Sequence, residues 1–162
     1  MTRTRGPIGS DPTVVFQKPG GLISRLEPTE TVLVVEDERD IATFLRAYFR
    51  ASGTDVVHVD PTTANEVAAA VATNNPTCVL LDLNLRGFSG LEAYREIRAA
   101  GMETPVIVVT ADPNPRTHRM ALDEGVAAVV QKPFSARELY ALVAAETAKD
   151  REARRPRPLR AR

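Results

Sequence analysis

Charged and hydroxyl side chains recur in this chain where apolar runs stop. Val32 to Val35 ends in Glu36-Asp37-Glu38, Cys78 to Leu81 in Asp82, and Val106 to Val109 in Thr110. Val126 to Val130 leads, after Gln131, into Lys132. Strand ends meet water, which explains any one of these residues but not acids, a hydroxyl and an ammonium together. Carboxylates crowded at one edge repel, and a raised pKa disfavours their charged forms at about 1.4 kcal/mol per unit, so a counter-charge is needed. Mg²⁺ meets that need. It takes hard oxygen ligands, uses one or two carboxylates, and keeps waters or phosphate oxygens in its other positions. Asp37 and Asp82 are the ligand candidates, with Glu36 holding a water. Lys132 offers a compact ammonium and Thr110 a hydroxyl donor, both able to meet a phosphoryl oxygen. These are parts for holding a phosphoryl group on Asp82, a chemistry carried mostly by positioning and charge neutralisation.

Such a site requires strands that end side by side. Apolar runs at Val32 to Val35, Val56 to Val59, Cys78 to Leu81, Val106 to Val109 and Val126 to Val130 alternate with helix-like stretches, which predicts five strands. Ile41, Phe44, Leu45, Tyr48 and Phe49 form the apolar stripe of a helix closed by Ser52-Gly53. Further helices are expected over Thr62 to Ala72, Gly90 to Ala100 and Ser135 to Lys149, the last opening with the capping-box spacing Ser135/Glu138. The segment after Thr110 allows a short helix capped by Asn114 with Pro115 first. Runs that are apolar throughout belong to a parallel sheet covered on both faces, a three-layer doubly wound α/β domain whose ligands lie at the carboxyl ends of the strands.

Composition agrees with one soluble domain and extensions: 162 residues, 43% hydrophobic and 26% charged. The apolar stretches are too short for a bilayer span and no signal peptide opens the chain, so a cytoplasmic protein is expected. The lone Cys78, inside an apolar run, is expected to be a buried hydrophobe. Residues 1–30 hold four Pro and four Gly and are expected to be a flexible extension; residues 149–162 are expected to be a basic, disordered tail. Residues 31–150 carry 11 Lys/Arg against 17 acids, a poor surface for nucleic acid.

The segments "VLVVEDE", "VLLDLNLRGFSGLE", "VIVVTA" and "QKPF", in that order, make residues 31–148 resemble a bacterial two-component response regulator receiver domain, of the single-domain type. The resemblance implies the flavodoxin-like strand order 2-1-3-4-5. It implies Asp82 as phospho-acceptor, Asp37 as Mg²⁺ ligand with Glu36 beside it, and the backbone carbonyl of Asn84 as a further ligand. Thr110 would move toward the phosphoryl group, Lys132 would contact it, and the Lys132-Pro133 peptide would be cis. Gly90 falls where the family turns into its third helix. The phosphoryl donor would be a sensor histidine kinase or histidine phosphotransferase, and the output an unknown downstream protein, with a homodimer as a further contact. Catalysis would be limited to the domain's own phosphorylation and dephosphorylation.

Three features depart from the family. Arg86 stands where proline is usual and can reach toward the site or a partner. Val129 replaces the aromatic residue three before the lysine, so half of the usual rotamer switch is absent. Pro113 and Pro115 stiffen the loop after Thr110. Asn84 and Asp112 would flank a hydrolytic water, or serve as turn formers. His58 and His118 are expected to be solvated or partly packed.

Only 14 residues follow Ala148, too few for an output domain with its own core, so the expectation is a receiver acting through phosphorylation-dependent protein contacts. The alternatives are a pseudo-receiver that binds partners without phosphorylation and the receiver portion of a longer DNA-binding regulator. A Mg²⁺ phosphatase would want an acid two residues after Asp82, where Asn84 stands.

Overall fold

The computed structural model describes residues 30–155; most of the expected extension, 1–29, and the tail residues 156–162 lie outside them. In chain order the elements are β1 (Thr31–Val35), α1 (Arg39–Ala51), β2 (Asp55–Val59), α2 (Ala64–Asn74), β3 (Cys78–Asp82), β4 (Asn84–Leu85), β5 (Phe88–Ser89), α3 (Gly90–Ala99), β6 (Val106–Thr110), α4 (Pro115–Glu124), β7 (Ala128–Gln131) and α5 (Ala136–Arg154). The sheet is parallel throughout in the order β2-β1-β3-β6-β7, which is 2-1-3-4-5 when its own five strands are counted. The expected doubly wound fold is therefore present. Residues 84–89 add a two-stranded antiparallel hairpin, β4 with β5, that the apolar pattern did not announce.

Unbroken apolar strands serve two faces at once. Leu33, Val35, Val79, Leu81, Val106 and Val108 pack with Val67 and Val71 of α2 and with Leu91, Tyr94 and Ile97 of α3. Their sequence neighbours Val32, Val34, Cys78, Leu80, Ile107 and Val109 pack on the other side with Leu45 and Phe49 of α1 and Leu139 and Val143 of α5. Period-two alternation between two apolar layers leaves no polar position in the strand, which is why the runs look continuous. Cys78 is fully buried, and burial pushes its thiol up to about 12, as fits a packed hydrophobe.

Helix termini follow local chemistry. Asn114 accepts the Arg116 N–H at 3.0 Å ahead of Pro115, and Ser135 accepts the Glu138 N–H at 3.4 Å. The reciprocal capping box sits instead at α3, where Ser89 and Glu92 satisfy each other's backbone donors. Two expectations need correction. Phe44 is 53% exposed, because the buried stripe of α1 runs through Ala42, Leu45 and Phe49 and leaves Phe44 at its margin. Helix α5 continues to Arg154, so residues 149–154, expected in the tail, extend the helix; Lys149–Glu146 and Arg154–Asp150 ion pairs and an Arg151–Glu30 pair line that extension.

Candidate functional site

Strand register places the site. Val35 is opposite Leu81, so the residues that follow them, Glu36 and Asp82, leave the sheet together. Asp82 is opposite Val109, putting Thr110 one step beyond, and Thr110 is opposite Gln131, putting Lys132 one step beyond again. Four residues at the ends of four adjacent strands thus converge on one edge without any of them being neighbours in sequence.

At the centre lies Lys132. Its Nζ donates to Asp82 Oδ2 at 3.0 Å, to Glu36 Oε2 at 2.8 Å and to Glu38 Oε1 at 3.4 Å. The two buried carboxylates are fixed from their other sides as well. Asp82 Oδ1 accepts the Asn84 N–H at 2.9 Å, and Glu36 Oε1 accepts the Glu38 N–H at 3.0 Å. The Glu36 carbonyl accepts from His58 Nε2 at 2.7 Å, which assigns the proton to that nitrogen. Thr110, fully buried, accepts the Asp112 N–H on its hydroxyl at 3.1 Å, while its carbonyl accepts the Lys132 N–H at 2.7 Å. The Lys132-Pro133 peptide is cis.

Gly90 is required by a close approach. A Cβ there would collide with the Asp82 carbonyl oxygen and lie 2.9 Å from Leu83 Cα. The start of α3 is therefore pressed against the backbone that carries the Asp82 carboxylate, and the Gly90 N–H donates to the Leu83 carbonyl at 2.9 Å.

Burial pushes the Glu36 carboxyl above its usual range, and the Lys132 and Glu38 hydrogen bonds only partly offset it. Burial would lower Lys132, but its hydrogen bonds to Glu36 and Asp82 outweigh that and hold the ammonium above the ordinary lysine value. Oxygens of Glu36, Asp37 and Asp82 lie within 4.8 Å of one another, a hard all-oxygen set that suits a small divalent cation retaining waters. A cavity of about 320 Å³ lies away from this edge, against Asn75, Met102 and Arg154.

The structure thus gathers Glu36, Asp37, Asp82, Thr110 and Lys132 as the sequence indicated. Asn84 starts the hairpin, and its N–H is committed to Asp82. Arg86 does reach the site: its Nε is 3.4 Å from Asp37 Oδ2 and its terminal nitrogen 3.4 Å from Asp60 Oδ2. Val129 packs half-buried against the α2/α3 layer, where no rotameric swing is available to it. Asp112 accepts the Asn114 N–H at 2.9 Å, a turn-forming bond that, with a Thr117 contact, holds its carboxyl below the usual range. His118 bonds the Asp112 carbonyl at 2.6 Å, partly packed as expected. The parts missed from sequence are the roles of His58 and Asp60. Their partners lie 22 and 26 positions away, and the one available signal was their place at the end of β2.

The family model for the response regulator receiver domain matches residues 32–144. Among solved structures, the signal receiver domain of a putative LuxO repressor protein from Vibrio parahaemolyticus is similar at 25% identity and TM-score 0.71, covering 77% of this chain and 95% of that one. The receiver domain of Francisella response regulator 1452 matches at 25% identity and TM-score 0.69, covering 75% and 99%. The receiver domain of NtrX from Brucella abortus matches at 28% identity and TM-score 0.66, covering 72% and 98%. With the acidic cluster, the buried threonine and the lysine all at the carboxyl edge of a sheet of this order, the chain belongs to the response regulator receiver domains of two-component signalling.

Proposed function

We propose that Asp82 accepts a phosphoryl group from a sensor histidine kinase or histidine phosphotransferase, and that the modified domain signals through phosphorylation-dependent protein contacts. The observation that carries this reading is the pair of bonds on the Asp82 carboxylate, to Asn84 N–H and to Lys132 Nζ, which orient it at the carboxyl edge of the sheet beside Glu36 and Asp37. A carboxylate oxygen forms the bond to phosphorus as the bond from phosphorus to the donor's imidazole nitrogen breaks, and the departing imidazole takes up a proton. Held rigidly at a strand end, the nucleophile spends little freedom in reaching an in-line position.

Receiver domains bind Mg²⁺ in their acidic pocket, and here Asp37, Asp82 and the Asn84 carbonyl would be its direct ligands with Glu36 contacting it through water. The ion would neutralise the transferred oxygens, whose added charge of about −1.5 to −2 would otherwise meet three carboxylates. Lys132 would pass from the Asp82 carboxylate to a phosphoryl oxygen, and the Thr110 hydroxyl would exchange its bond from Asp112 for one donated to the same group. Asp112 and Asn84 would influence access of hydrolytic water.

A second reading, a binding module that works without phosphorylation, is favoured by Val129 in place of an aromatic residue and by the two prolines beside Thr110. The two readings separate with beryllium fluoride, a phosphoryl mimic present in a similar receiver from Klebsiella pneumoniae RstA. With Mg²⁺ it should shift the amide NMR signals of Thr110, Asn84 and Lys132, and Asp82→Asn should abolish the shifts. A folded wild type showing no shifts would favour the binding module.

A further inference from the structure

The pocket holds two cations, and the receiver reading uses one of them. Lys132 serves Glu36 and Asp82. Among the described residues Asp37 is paired with Arg86. Arg86 sits between β4 and β5 beside Gly87, whose φ of +90° turns the hairpin. Its side chain is 73% exposed, so it is located by two carboxylates rather than by packing: Asp37, 17% exposed, and Asp60, 36% exposed.

We infer that Arg86 is a tethered counter-ion that competes with the divalent cation for Asp37, so that cation binding and release of Arg86 from that residue are one event. This rests on the receiver reading of the acidic site. Charges decide the direction. Glu36, Asp37 and Asp82 set against Lys132 leave a deficit of two positive charges, the charge of one divalent ion. Arg86 fills half of that deficit when no ion is bound. An ion on Asp37 would put a second positive centre on the carboxylate the guanidinium holds, so Arg86 leaves and Asp60 remains to receive it. Coupling is reciprocal: whatever free energy Arg86 loses on cation binding appears as weaker cation affinity. The hairpin that carries Arg86 also carries Asn84, whose N–H holds Asp82, so cation occupancy reaches the nucleophile's support by a second route. Proline at this position could do none of this.

The test is a calorimetric Mg²⁺ titration of the full chain as wild type, Arg86→Gln, Arg86→Lys and Arg39→Gln. Arg39 is exposed, lies next to the acidic turn and makes no ion pair among the described residues, so its variant measures the effect of removing nearby charge alone. Arg86→Gln should bind Mg²⁺ tighter than Arg39→Gln by roughly two- to five-fold, the range expected for one exposed ion pair. Arg86→Lys should stay near wild type, and the gap between variants should close near 1 M salt, where screening acts within about 3 Å. Equal affinities for Arg86→Gln and Arg39→Gln, or weaker binding by Arg86→Gln, would overturn the competition while leaving the Mg²⁺ site standing. No Mg²⁺ binding by folded wild type would remove the site and the competition together.

Discussion

Lys132 satisfies two buried acids, Glu36 and Asp82, and in the proposed reaction would also meet a phosphoryl oxygen, with a single ammonium that is 10% exposed. Lys132→Met should destabilise the metal-free protein at neutral pH by about 2–3 kcal/mol, somewhat below the 3–5 kcal/mol seen when a fully buried pair loses one partner. The pH dependence has a definite sign. Glu36 is raised above its ordinary 4.5, so its contribution to stability is present below that value and is lost as pH rises through the folded value. Without Lys132 that loss should steepen, and the gap between variant and wild type in chemical unfolding should narrow on acidification toward pH 4.5. Cys78 gives a simpler case. Raised by burial from an ordinary 9.0 to about 12, its thiol should resist labelling at pH 8 in folded protein and react once the chain is unfolded. The titrating residues of the site were legible because each closes an apolar run. The reach of Arg86 toward the site was legible too, but His58 and Asp60 were not, since a bond between residues 22 or 26 positions apart leaves no local pattern.

At the level of elements, the junction between β5 and α3 carries the most constraint per residue. Gly90→Ala must move either α3 or the Asp82 backbone, and we expect a loss of about 1–3 kcal/mol in chemical unfolding together with weaker Mg²⁺ binding. A substitution tolerated without change in either quantity would show that this contact is looser than its geometry. Asn114→Ala removes the cap of α4 and should cost about 1 kcal/mol while leaving Mg²⁺ affinity unchanged, because its side chain bonds the first turn of α4 and not the metal-binding acids. The helices with clear caps were legible from sequence: Asn114-Pro115 and Ser135 start where expected. Hairpin β4–β5 was not, because strands of two residues are too short to show a period. Phe44 was misjudged because a helical stripe has margins, and whether a marginal residue is covered depends on the neighbouring element.

For the whole molecule, the sheet order follows from connections that return to parallel strands through helices on both faces, and the edge that gathers Glu36, Asp82, Thr110 and Lys132 follows from that order. The far end of α5 is another matter. Thr147 is buried, while residues 149–154 are held mainly by exposed ion pairs. A chain ending at Ala148 should therefore keep its fold and lose less than about 1 kcal/mol. A larger loss by thermal unfolding would place that last stretch of helix within the cooperative domain. Helix continuation here was illegible because the basic composition of the segment suits a solvated helix face as well as a tail.

Covalent chemistry at Asp82 is the point on which everything else depends. Purified protein incubated with Mg²⁺ and acetyl phosphate, followed by intact-mass measurement of wild type and Asp82→Asn, decides it. One phosphoryl adduct on wild type is expected, absent from the variant and absent after chelation of the metal. A folded, Mg²⁺-binding wild type that forms no adduct, or an adduct that persists in Asp82→Asn, would contradict it.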